Sequence, residues 1–90
     1  MNDLKIIYES LKTEYNIRLT LTGELNDGYT IYTPVIRGEC KRGTFDLYED
    51  EGLLVFSYED LNREEGYSHL HPYDSKEAIK LIKEFMSKEN

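Results

Sequence analysis

TFDLYEDEGLLVFSYE, residues 44–59, is the stretch whose reading decides the fold. Two β-prone runs, Thr44 to Glu49 and Leu53 to Glu59, flank Asp50-Glu51-Gly52, and Gly52 suits a left-handed backbone position, so the segment reads as an antiparallel hairpin. Its alternation is imperfect. Loops of two or four residues pair Phe45 with Phe56 and Leu47 with Leu54, which leaves Asp46, Tyr48, Leu53 and Val55 on the other face. A three-residue loop with Gly52 as a bulge instead sends Tyr48, Leu54, Phe56 and Tyr58 to one face. In both cases apolar side chains occupy both faces. One face covers a core, and the other mixes tyrosine, aliphatic and acidic residues, the composition of a protein-binding patch.

Upstream, Leu4, Ile7, Tyr8, Leu11 and Tyr15 recur at helical spacing behind Asn2 or Asp3 as the cap, which predicts an amphipathic helix over residues 3–15. Ile17, Leu19 and Leu21 then alternate with Arg18, Thr20 and Thr22 as in a strand with one wet face. Asn26-Asp27-Gly28 supplies a tight turn into a β-rich run from Tyr29 to Ile36, where Pro34 marks a strand end, an edge or a bulge. Arg37-Gly38 reads as a break. Downstream, residues 60–66 form a polar connection and Tyr67 to His71 a short last strand. Asp74-Ser75-Lys76-Glu77 is a capping box, opening a helix whose stripe is Ala78, Ile79, Ile82, Phe85 and Met86. The order is helix, four or five antiparallel strands in a meander, helix. The expected class is α+β: a two-layer sandwich in one domain, residues 1–90, with both helices on one face of the sheet and the other face open.

Composition narrows the class. A chain of 90 residues with 39% hydrophobic and 32% charged residues is too apolar for disorder and too polar for a membrane protein. The longest apolar run, Leu53 to Phe56, is too short for a membrane span or a secretory signal. Cys40 is the only cysteine, so no intrachain disulfide forms and a reducing compartment is indicated. The expected location is cytoplasmic, with no membrane partner.

The net charge of −7 resides in residues 49–74, where eight acids face a single Arg63, while the two flanks nearly cancel. Nucleic acid is not the expected direct partner, because phosphate binding needs clustered bases and here they are scattered. An acidic surface attracts a basic protein and steers its approach. The expected contact residues are Tyr48, Glu49, Asp50, Glu51, Tyr58, Glu59, Asp60 and Tyr67, with Tyr73 as a further tyrosine of the segment. Tyrosine serves such a role because its ring packs while its hydroxyl stays wet.

Chemistry-bearing motifs are sparse. His69 and His71 alternate on one expected strand and are the candidate metal ligands, but no third ligand stands at a recognised spacing. Cys40 lies between Gly38 and Gly43 beside Lys41 and Arg42 and is a candidate nucleophile by its setting, yet no nucleophile elbow or phosphate loop accompanies it. The carboxylates read as a solvated rim rather than as an acid and a base in distinct environments. The expectation is a non-enzymatic protein-binding module with no cofactor. The alternatives are a small metal- or ligand-binding domain using His69 and His71, and a self-associating structural module, for instance a homodimer.

Gly43-Thr44-Phe45-Asp46-Leu47, Leu54-Val55-Phe56, Tyr67-Ser68-His69-Leu70-His71-Pro72, Ala78-Ile79 and Phe85-Met86 together form a pattern that resembles small acidic bacterial α+β proteins of the toxin-immunity type. The resemblance covers roughly the last fifty residues. It implies an immunity protein or inhibitor that neutralises a toxin by binding it, and it assigns no functional residue.

Overall fold

The computed structural model describes residues 3–61 and 67–87, and within these the side chains of Glu24, Asn26, Ile31 and Tyr67 lie outside the description. Asn2 as the alternative helix cap, and Arg63, Glu64 and Glu65 of the acidic segment, also fall outside it. Helix α1 (Asp3–Leu11) is followed by β1 (Ile17–Asn26), β2 (Tyr29–Cys40), β3 (Gly43–Asp50), β4 (Leu53–Asp60), β5 (Tyr67–Leu70) and helix α2 (Ser75–Ser87). The strands form one antiparallel meander in the order β1-β2-β3-β4-β5, so the fold is α+β as expected. No helix among the described residues is long and apolar enough to cross a membrane.

Period-two patterning sorts the sheet into two faces. The register aligns Leu19, Ile36, Leu47, Phe56 and Leu70 across all five strands, and beside them Ile17, Gly38, Phe45, Tyr58 and Ser68. This face supplies the core. Leu4, Ile7 and Leu11 of α1 and Ala78, Ile82, Phe85 and Met86 of α2 pack on it together with Ile36, Phe45, Leu47 and Phe56, so both helices share one side. At the centre, the Phe45 ring stacks on Phe56 with centroids 5.2 Å apart, and the Phe85 edge meets both rings at 5.8 and 6.1 Å. Each buried ring or leucine of this kind contributes about 1.5–3 kcal/mol through removal from water, which is how a chain this small sustains a core.

Several expectations change. Helix α1 ends at Leu11 rather than at residue 15: beyond it the Glu14 amide bonds the Leu11 carbonyl at 3.1 Å, the i→i−3 contact of a tighter turn, and the Tyr15 amide shares that carbonyl at 3.0 Å. That tight turn keeps Tyr15 against the core while releasing the chain into β1. Arg37-Gly38 is no break: β2 runs through it to Cys40. Gly38 instead leaves room for a ring, since a Cβ there would collide with Phe45 Cε1.

The first hairpin is longer than its clean alternation suggests. Pairing continues to Asn26 opposite Tyr29 around an Asp27-Gly28 turn. Pro34 stands opposite Leu21, just beyond Ile36, where pairing of β2 with β3 ends. Lacking an amide donor, proline suits that point. The remainder of β1 and β2 extends past β3 as a two-stranded arm, and the molecule measures 45 × 29 × 22 Å.

The second hairpin turns on Glu51-Gly52, with φ of 52° and 81°, so Asp50 pairs with Leu53, Leu47 with Phe56 and Phe45 with Tyr58. The expected pairs Phe45–Phe56 and Leu47–Leu54 are therefore displaced by two residues. The side assignment of an even-length loop nevertheless stands: Asp46, Tyr48, Leu53 and Val55 share the face away from the helices.

Candidate functional site

The β3–β4 turn is the acidic tip of the molecule. Glu49, Asp50 and Glu51 are all exposed there. A left-handed backbone is ordinary for Gly52 but disfavoured for Glu51, whose Cβ crowds the neighbouring carbonyl. The first hairpin meets the same demand with Asp27-Gly28, a pair better suited to it.

Beside this tip lies a groove of about 350 Å³, lined by residues that include Asp3, Glu49, Leu53, His71, Tyr73 and Asp74. Three separate elements build it. Asp3 opens α1, Glu49 and Leu53 flank the β3–β4 turn, and His71 to Asp74 form the bend between β5 and α2. Local chemistry holds the bend: the Asp74 carboxylate accepts a hydrogen bond from the Glu77 amide at 3.0 Å, as an N-cap does, and Pro72 is buried beneath. The walls combine carboxylates with apolar surface, since Leu53 is 63% exposed and Tyr73 90% exposed. Such a rim can receive a cationic side chain and pack against its aliphatic or aromatic neighbours.

The expected contact residues do not form one surface. Tyr48, Asp50 and Glu59 belong to the face away from the helices, with Tyr48 half-buried directly opposite Val55. Glu49 opens onto the groove, and Glu51 crowns the turn. Tyr58 points to the helix side, its ring 5.6 Å from Phe85 and 5.5 Å from Phe56, so it is a packing residue more than a contact residue. Asp60 is only 3% exposed and is paired with Arg42, which removes it from the acidic surface. The strand position of Tyr67 is opposite Glu59.

The two histidines also part company. β5 ends at Leu70, so His71 is no longer in strand geometry and lines the groove. His69 stays in β5 opposite Ser57, in a row that continues through Asp46 and Arg37 to Arg18. Arg37 Nε is 3.1 Å from Asp46 Oδ1 within that row. Among the described residues no three His, Cys, Asp or Glu side chains are gathered so as to hold a metal ion. Cys40 is partly buried, with Sγ 3.9 Å from the Phe85 carbonyl oxygen.

Sequence reading assigned Asp3 and Asp74 to helix caps and did not associate them with Glu49. Nothing in the local pattern marks that association, because the three residues meet only when both helix starts are brought to the same end of the sheet. No family model, curated protein or solved structure matches the chain.

Proposed function

We propose that this protein is a non-enzymatic binding module that engages a basic protein surface, as an immunity or inhibitor protein does. Its acidic tip and the adjoining groove, Glu49, Asp50, Glu51, Asp3, Asp74, Leu53 and Tyr73, form the contact. The observation that carries this reading is Glu51 at φ 52°. Asparagine or glycine would occupy that position with less strain, and a carboxylate there completes three consecutive exposed acids at the β3–β4 turn. Residues held in sparsely populated backbone regions cluster at functional sites, and Glu51 is read here as one of them.

The exposed Leu53 and Tyr73 add the apolar anchors that an electrostatic patch alone lacks. The acids set approach and orientation, and the ring and the leucine hold the complex.

The test compares the wild type with Glu49→Lys/Asp50→Lys/Glu51→Lys in affinity capture from a lysate of the source organism at low salt, followed by stopped-flow association with the captured protein. A basic protein bound by the wild type, with an on-rate that falls steeply in salt and at least about tenfold in the variant, supports the reading. An on-rate equal in both proteins rejects it.

A further inference from the structure

The β1–β2 arm projects beyond the β3–β4 turn at the same end of the sheet, and β1, the edge opposite β5, has the properties of an interface. β1 is an edge strand ten residues long, with no lysine, proline or bulge to discourage pairing. β5, the other edge, has four residues and runs into Pro72. On the helix side of the arm, Leu21 is 68% exposed and Leu25 is 76% exposed, with Tyr32 and Pro34 beside them in register. Neither helix reaches this far: the helices pack on Ile17 and, more loosely, Leu19, and the core does not include Leu21 or Leu25.

We propose that β1 is the docking edge for a second copy of this chain, the two β1 strands pairing antiparallel across a two-fold axis at Leu21. The two five-stranded sheets then become one continuous sheet, with the helices of both copies on the same side. This goes beyond the basic-partner reading and does not depend on it.

The register follows from complementarity. With Leu21 opposite its own copy, Leu25 falls opposite Ile17, Leu19 opposite Gly23, and Thr20 opposite Thr22. Arg18 of each protomer falls opposite position 24, where the sequence carries glutamate, so both ends of the interface match opposite charges. Shifting the axis to Thr20 sets Arg18 opposite Thr22 and Leu25 outside the strand. Shifting it to Thr22 sets Arg18 opposite Asn26 and Leu21 opposite Gly23. Only the axis at Leu21 pairs the charges and gives both exposed leucines an aliphatic partner. Charge distribution also favours this edge, since residues 17–40 carry two arginines and three acids, whereas residues 49–74 hold the excess that would repel a like chain. Such an interface is isologous and closes at two copies.

Sedimentation equilibrium on the full chain tests the proposal. The wild type is expected at twice its 10.6 kDa mass in a concentration-dependent equilibrium. Leu21→Glu and Leu21→Lys are each expected to sediment as monomers, because the axis places like charges together, and their equimolar mixture is expected to dimerise. Leu21 is exposed in the protomer, so circular dichroism of both variants should match the wild type. Independently, Arg18→Glu and Glu24→Arg should each weaken dimerisation at least about tenfold, and the double variant should restore it. A wild type that stays monomeric at its solubility limit overturns the proposal, as does a mixture of the Leu21 variants that remains monomeric or a charge swap without rescue.

Discussion

Arg42 Nε lies 2.8 Å from Asp60 Oδ2, and the same guanidinium stands 4.8 Å from the centre of the Phe85 ring. The pair ties the start of β3 to the end of β4 and to α2, and the Leu61 amide bonds the Arg42 carbonyl at 2.7 Å in the same corner. An acid that belongs to the most charged part of the sequence is thus a structural element.

Asp60→Ala should therefore destabilise the protein by about 3–5 kcal/mol, because it leaves the enclosed Arg42 charge without its partner. Urea unfolding measures this. Arg42→Met combined with Asp60→Leu should recover at least half of the loss. Asp60→Asn should leave the association rate with a basic partner unchanged, in contrast to the reversal of Glu49, Asp50 and Glu51.

Glu51→Asn is expected to stabilise the hairpin by roughly 0.5–1 kcal/mol, since asparagine tolerates the left-handed backbone and Asn-Gly favours this turn. The same substitution should slow association with the partner. Thermal unfolding and stopped-flow kinetics on one variant would then move in opposite directions, whereas a purely structural Glu51 would change stability alone.

Gly38→Ala places a methyl group where the Phe45 ring lies. The ring cannot withdraw without disturbing Phe56 and Phe85, so the expected cost is about 1–3 kcal/mol by chemical denaturation. Adding Phe45→Leu should relieve the clash and make the alanine less costly than it is in the wild-type background.

Asp74 has two roles that one pair of variants separates. Asp74→Ala should lose about 1 kcal/mol through the missing N-cap. Asp74→Asn keeps a capping oxygen and should hold the wild-type melting temperature, while removing one negative charge from the groove and weakening salt-sensitive association.

Legibility followed the range of the interactions. Helix α2 was readable from the Asp74 cap and its apolar stripe, and its buried residues Ala78, Ile82, Phe85 and Met86 all belong to the expected set. Helix α1 was over-read by four residues because Tyr15 keeps helical spacing although it reaches the core from a turn. Gly38 looked like a break because its partner, the Phe45 ring, lies on the neighbouring strand. In the candidate site, Glu49, Glu51 and Tyr73 were legible as acids and a tyrosine with nothing local to bury them. The involvement of Asp3 was not, and neither was the withdrawal of Asp60 and Tyr58 from the surface.

By itself the sequence determined the class of fold, the order of its elements, the regions of the β1–β2 and β3–β4 turns and the concentration of negative charge in residues 49–74, because periodicity, capping and turn chemistry act over a few neighbouring residues. Tertiary structure alone decided the hairpin register, the gathering of Asp3, Glu49 and Asp74 around one groove, the burial of Asp60 against Arg42, and the exposure of Leu21 and Leu25 on an unpaired edge. Each of these depends on which distant segments share the core, and side chains of identical local pattern become buried or exposed according to where the two helices end on the sheet.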